Sequence, residues 1–342
     1  MKKWIGYEKG VNLGGWLSQC VHTKEHYDSF ICKDDVKTAA AWGIDHIRLP
    51  IDYKLLQTED GHIIEENYQY IDNCLAWCEE VGLNMILDLH SAAGYSFDAD
   101  GGSGQAFFYK EDKIKMFMEL WEELAKRYAK YDSRLAFELL NEVVEERDNA
   151  PWMAIAKKTV AMIRKYSKDI KILLGAYFNN SIMTVKYIDP PYDENIVYNV
   201  HCYEPLFFTH QGAYWMPTMP PDFRMKYPVD KKTYIEKASA VHEDFLNTTW
   251  AMEDGLIDAR YFDNLFAEAV QIAEERDVYM YCGEYGVIDC VDPESTLAWL
   301  RDIHDAFDRH GFGRAIWTYK GMDFGFTDER LDGIRNELIK CL

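Results

Sequence analysis

The sequence predicts a single α/β domain, a (β/α)8 TIM barrel with an insertion after the sixth strand, and three observations predict it. Short apolar runs alternate about eight times with longer segments of helical period along the 342 residues. The runs are continuously apolar rather than alternating, as strands covered on both faces are, and such strands joined by helices form a parallel sheet that closes at eight units. No Gly-x-Gly-x-x-Gly turn follows the first run, which counts against the rival fold, an open doubly wound sheet.

In order, residues 10–17 read as a glycine-containing first strand and 34–42 as a short helix closed by Gly43, which suits the left-handed residue after a helix. Residues 45–51 form the second strand, with Pro50 near its end limiting further pairing. A helix over 66–81 carries Ile71, Cys74, Leu75, Cys78 and Val81 on one stripe and stops at Gly82. The third strand is 83–90, and the glycine-rich stretch 91–104 is expected to be a surface loop. Residues 112–131 hold the clearest helical stripe, with Ile114, Phe117, Trp121, Leu124 and Tyr128 at the spacing of one buried face.

The fourth strand, 137–142, ends in Asn141 and Glu142. A helix over 151–166, a strand over 171–176, a short helical stretch over 181–187 and a sixth strand over 195–203 follow. Residues 204–260 break the rhythm with most of the prolines and a crowd of rings, and are expected to form an inserted subdomain of the one domain spanning 1–342. Regularity returns with a helix over 261–276, a seventh strand over 278–284, a helix over 293–310, an eighth strand over 313–319 and a last helix spaced by Leu331, Ile334 and Leu338.

A formal charge of −21, from 37 basic and 58 acidic residues, disfavours partners held through phosphates, so neither nucleic acid nor an anionic membrane is expected. The eight cysteines form no Cys-x-x-Cys pair and several sit in apolar runs, which reads as free thiols in a reducing compartment. The N-terminal stretch lacks a signal-like apolar core and no run reaches the length of a membrane span, so the chain as given is expected in the cytoplasm, or secreted if a leader was removed. A monomer is the expectation.

Polar residues at the C-terminal ends of barrel strands converge on one site. Here those positions hold Arg48, His90, Asn141, Glu142, His201, Tyr203, Glu284 and Trp317. Each alone has an ordinary structural reading; Arg48, for example, suits an ion pair with Glu138, whose parity along its strand matches that of Glu142. Together they indicate a site. Two carboxylates with no metal or other cofactor suit glycoside hydrolysis, in which one acid protonates the leaving oxygen and the other attacks or activates water. Spacing alone does not say which Glu does which.

Asn141-Glu142 after a fourth strand, Glu284 after a seventh, Arg48 in Ile47-Arg48-Leu49-Pro50, His201-x-Tyr203 and Trp317 together resemble glycoside hydrolase family 5, in the clan of (β/α)8 retaining glycosidases. The similarity runs from Gly10-Val11-Asn12 to Asp323-Phe324. Phe207-Phe208-Thr209-His210-Gln211 resembles the clostridial type of cellulases and β-1,3-1,4-glucanases.

The resemblance implies a retaining endo-β-glucanase acting on a β-glucan oligo- or polysaccharide. It makes Glu142 the acid/base and Glu284 the nucleophile, held by Arg48 and Tyr203. Asn141 would bind the 2-hydroxyl of the reacting sugar, His90 and His201 would bind sugar or orient the acid/base, and Trp317 would stack at the cleavage point. Trp16, His22, His26, Tyr95, Phe207 and Trp215 are further candidates for sugar contact or for packing.

Alternatives within the family are a β-mannanase or an exo-β-1,3-glucanase. From other classes, a metal-dependent barrel hydrolase built on His22, His26 and Asp88 and a non-catalytic sugar-binding barrel remain. The loops after strands seven and eight are acidic, against a phosphate site.

Overall fold

Eight parallel strands close into a barrel in chain order in the computed structural model, which describes residues 1–97 and 106–342. They are β1 (Gly10–Asn12), β2 (His46–Asp52), β3 (Asn84–Ser91), β4 (Leu135–Glu138), β5 (Lys171–Leu174), β6 (Ile196–His201), β7 (Tyr279–Glu284) and β8 (Gly313–Ile316). Pairing of β1 with both β2 and β8 makes the closure. The expected (β/α)8 barrel is the one observed.

Helices Lys33–Ala41, Tyr68–Val81, Glu111–Tyr128, Glu146–Ile163, Ala259–Glu275 and Pro293–His310 surround it, while Ile182–Tyr187 is a 3-10 turn. Gly82 ends its helix with φ of +77°, the left-handed conformation that glycine adopts without a Cβ penalty.

Several boundaries differ from those expected, for local reasons. The helix expected from 151 begins at Glu146 and contains Pro151. A proline there removes the N–H that would bond the Arg147 carbonyl; the Tyr109 hydroxyl lies 3.3 Å from that carbonyl and donates chiefly to Asp148 Oδ1 at 2.7 Å. β4 stops at Glu138, so Leu139–Glu142 is no longer strand. Arg48 lies in the middle of β2, opposite Asn12 and Ile86, and not at its end. The expected surface loop is partly wrong: Ala92, Ala93 and Tyr95 are buried, and 98–104 lies outside the described residues.

The barrel interior is layered. Trp4 and Tyr7 stack at 4.0 Å beneath it, against a floor of Ile86, Ala136, Leu173, Val197, Tyr281 and Ala315. Two residues further along three of these strands the same face turns polar: Asp88 follows Ile86, Glu138 follows Ala136, and Asn199 follows Val197. Inward side chains recur every second residue, so each layer is set by the strand period. The next step up carries His90 and His201.

Between β6 and β7 the chain forms Leu206–Thr209, Lys231–Ser239 and two 3-10 turns at Glu243–Leu246 and Thr249–Ala251. Phe207 is buried at its centre, stacked on Phe223 at 4.1 Å and packed against Phe245 at 4.8 Å. Among the described residues, no helix is long and apolar enough to cross a membrane.

Candidate active site

Arg48 is the charge on which the polar layer is built. Its guanidinium is fully buried, and an unpaired buried charge costs several kcal/mol, so every donor needs a partner. Nε and Nη2 bind Glu138 in a fork at 2.8 and 2.7 Å, Nη2 also reaches Asn141 Oδ1 at 2.8 Å, and Nη1 donates to Asn12 Oδ1 at 2.8 Å and Glu284 Oε1 at 2.9 Å. Asp88 adds a contact at 3.1 Å, and Asn199 donates to Glu138 Oε1 at 2.8 Å. Planar bidentate pairing of this kind is what arginine supplies and lysine does not. All of Arg48 is thereby spent on aiming neighbours.

Above that layer the two acids meet. Oxygens of Glu142 and Glu284 and a ring nitrogen of His201 lie within 4.8 Å of one another, all three residues buried. His201 Nδ1 sits 2.6 Å from Glu142 Oε1 and 3.6 Å from Glu284 Oε2. Tyr203 completes the set by donating its hydroxyl to Glu284 Oε2 at 3.1 Å.

The electrostatics separate the partners of the two acids. Burial would push the Glu284 carboxyl up, but the charges of His201, Arg48 and His90 outweigh it and hold the group below the usual carboxylate range. Burial pushes the Tyr203 phenol well above its ordinary value, with Glu284 and Glu142 adding to the rise, so the phenol remains a donor. Burial opposes charge on His201, yet Glu284 and Glu142 raise it above the usual imidazole value.

Asn141 is oriented by what its oxygen does. With Oδ1 engaged by Arg48, its Nδ2 is left buried without a hydrogen-bond partner. A buried donor in that state carries a desolvation cost that a ligand acceptor would relieve. His90 is held by Asp88 through Nδ1 at 2.7 Å and stacks on Trp317 with ring centroids 5.5 Å apart and planes 4° apart. Trp317 in turn lies against Gly14, where any Cβ would come within 2.7 Å of the indole.

The eight candidates Arg48, His90, Asn141, Glu142, His201, Tyr203, Glu284 and Trp317 therefore sit around one centre. The wider set divides. Trp16 is buried, donating Nε1 to Tyr27 O at 2.8 Å and stacking on Trp77, and Phe207 is core. Tyr95 is also buried, donating to the Glu142 carbonyl at 2.8 Å. Trp215 is exposed, in a series of rings that runs through Phe324 to Tyr203.

His22, His26 and Asp88 do not converge: His22 Nε2 pairs with Asp52 at 3.1 Å, His26 bonds the Gly15 carbonyl at 2.8 Å, and Asp88 lies with His90 and Arg48. Beside His90, Gln19, His22, Asp52, Tyr53, Ser91 and Tyr95 are among those lining a cavity of about 210 Å³.

Sequence reasoning missed four polar members of the site: Asn12, Asn199, Asp52 and Asn179. Strand parity would have found Asn199, two residues before His201. Asn179, on the loop after β5, donates Nδ2 to Glu142 Oε2 at 2.7 Å, and only the turn preference of asparagine marked it.

Residues 7–323 match the family model described as cellulase, glycosyl hydrolase family 5. Cellodextrinase A of Ruminococcus flavefaciens is 42% identical over 314 residues, covering 92% of this chain and 86% of that protein. Endoglucanase C of Acetivibrio thermocellus is 35% identical over 348 residues, covering 99% and 98%. Among solved structures, Thermotoga maritima Cel5A in complex with cellobiose superposes with a TM-score of 0.76 over 98% of this chain and 97% of that one at 20% identity, a likeness of fold.

Proposed function

The chain belongs to glycosyl hydrolase family 5 and is a glycoside hydrolase of endoglucanase or cellodextrinase type; from that premise we propose that it cleaves β-1,4 bonds within cellulose-type or mixed-linkage β-1,3-1,4-glucan chains, with retention of configuration. The observation that carries this reading is the approach of the Glu142 and Glu284 oxygens within 4.8 Å. Retaining enzymes hold their carboxyls roughly 5–5.5 Å apart, whereas inverting ones leave roughly 6.5–9.5 Å for a water.

Glu284, ionised and aimed by Arg48 and Tyr203, attacks the anomeric carbon while Glu142 gives its proton to the departing glycosidic oxygen. The glycosyl group is then joined to Glu284. In the second step Glu142 takes a proton from water, which attacks the same carbon and releases Glu284. The free Asn141 Nδ2 meets the 2-hydroxyl of the reacting sugar, and the paired rings of Trp317 and His90 form its floor.

The acid protonates the oxygen of the leaving sugar, so leaving units extend past Glu142 along the β4–β6 rim. The retained units then lie on the opposite rim, where the cavity beside His22 and Asp52 offers hydroxyl-binding groups. Residues 204–260 form an inserted subdomain of one barrel domain that walls the cleft with Trp215 and Tyr214.

The test is a product profile on barley β-glucan, carboxymethylcellulose, glucomannan and cellodextrins, with the anomeric proton followed by NMR. Retained configuration and near-complete loss of activity in Glu142→Gln and Glu284→Gln are expected. Inversion, or substantial activity left in Glu284→Gln, would remove Glu284 as the nucleophile.

A further inference from the structure

The loop after β5 holds a backbone anomaly that the two-acid reaction leaves unexplained. Phe178, Asn179 and Asn180 have φ of +58°, +54° and +53°. Three successive non-glycine residues in the left-handed region are unfavourable, because each Cβ crowds the following carbonyl, and such strain persists only where the surroundings impose it and tends to mark functional sites.

Here the surroundings are the residues that carry the acid/base. Phe178 N donates to Val144 O at 3.0 Å, Asn179 N to Val143 O at 2.9 Å, and the Asn180 side-chain amide to the Asn141 carbonyl. Gly175 makes room for that last bond, since a Cβ there would lie 2.2 Å from Asn180 Oδ1. The turn is thus fastened to the segment around Glu142. Its visible product is one contact, Asn179 Nδ2 to Glu142 Oε2 at 2.7 Å.

We infer that Asn179 is a positioning residue for the acid/base, and that the left-handed turn exists to bring its amide onto Glu142. With His201 on Oε1 and Asn179 on Oε2, both carboxyl oxygens are held and the carboxyl plane is fixed against the scissile bond. The amide serves both protonation states. Its N–H donates to the carboxylate left after Glu142 has protonated the leaving oxygen; turned over, its Oδ1 accepts from the carboxylic acid regenerated when Glu142 takes the proton of the attacking water. The inference rests on the assignment of Glu142 as acid/base proposed above.

The experiment compares Asn179→Ala and Asn179→Gly with wild type on cellotetraose and on 2,4-dinitrophenyl cellobioside, whose leaving group departs without acid assistance. Glycine is at ease at this φ, so Asn179→Gly removes the amide while relieving strain, and a thermal melt confirms that it folds. The expected result is a roughly ten- to hundredfold loss of kcat/KM on cellotetraose, the scale of one lost bond to a charged group. On the dinitrophenyl substrate kcat/KM stays within about threefold of wild type.

Equal losses on both substrates, or no loss at all, would overturn the inference. Glu142→Ala, run alongside, separates the two levels. If it loses both substrates equally, the acid/base assignment falls and the inference with it; if it spares the dinitrophenyl substrate while the Asn179 variants show no leaving-group effect, the inference alone falls.

Discussion

Tyr203→Phe tests whether one hydrogen bond keeps Glu284 ionised and aimed. The phenol donates to Glu284 Oε2 at 3.1 Å, while Oε1 accepts from Arg48 at 2.9 Å. Without the hydroxyl, Oε2 still faces His201 Nδ1, but at 3.6 Å, too far for a hydrogen bond. A bond to a charged group contributes roughly 1.5–3 kcal/mol, and about 1.4 kcal/mol corresponds to one pH unit of a protonation equilibrium.

The sign follows from which form the bond favours. Glu284 sits below the usual carboxylate range because nearby positive charges outweigh its burial, and the Tyr203 bond stabilises the same ionised form. Its loss lets the carboxyl climb, so a smaller fraction is ionised at any pH near the limb. The acidic limb of kcat/KM should therefore move upward by roughly one to two pH units, with a smaller loss well above it. The assay is a pH profile on an aryl cellobioside, with a melt to show that the variant is folded. An acidic limb that stays in place would refute the reasoning and leave Tyr203 as packing against Phe324 and His210.

Other outcomes check other parts of the structure. Incubation with a chelator should leave hydrolysis unchanged; loss of activity restored by a divalent metal would favour the metal-dependent alternative. Trp121→Phe removes the indole bond to the Leu139 carbonyl, 3.0 Å long, and shrinks a fully buried ring, at ~2 kcal/mol. At about 2.1 cal/mol/K per residue that is a Tm lower by ~3 °C, measurable by calorimetry.

Gly175→Ala drives a methyl into Asn180 and should cost ~1–3 kcal/mol as overpacking, with a parallel fall in activity on cellotetraose. Gly43→Ala, where φ is +82° but no neighbour lies within 4 Å, should lower Tm with activity at wild-type level. Equal activity in the two glycine variants would show that the turn after β5 does not matter to catalysis.

The barrel was legible because a strand buried on both faces is apolar nearly throughout, and 85–87 and 278–282 are so plain that neither could be read as a surface strand. The two acids were legible for the converse reason: Glu142 and Glu284 close apolar runs where a charge has no cause unless it works. Less legible were features set by contacts across the sequence. The mid-strand place of Arg48 and its bond to Asn12, 36 residues away, were not read from Ile47-Arg48-Leu49, whereas its pairing with Glu138, 90 residues away, was expected from strand parity and its hold on Glu284, 236 residues away, from the resemblance. Trp16 and Phe207 resembled sugar platforms by type, but an aromatic ring serves a core and a cleft equally well until its exposure is known.

A simple rule nevertheless connects the readable and unreadable parts. On β3 the inward series is Ile86, Asp88, His90, and on β6 it is Val197, Asn199, His201: an apolar floor, a polar support, then a group beside the acids. The support layer is needed because the top layer is charged; Arg48 can lie buried only if Asp88, Glu138 and Glu284 surround it, and Glu138 in turn needs Asn199. Once His90 and His201 are identified, Asp88 and Asn199 two positions earlier follow from the strand period. Past the strand ends that period stops. Asn179 reaches Glu142 only through a turn whose handedness is imposed by bonds to Val143 and Val144 and by the missing side chain of Gly175, so its place in the site follows from the folded loop alone.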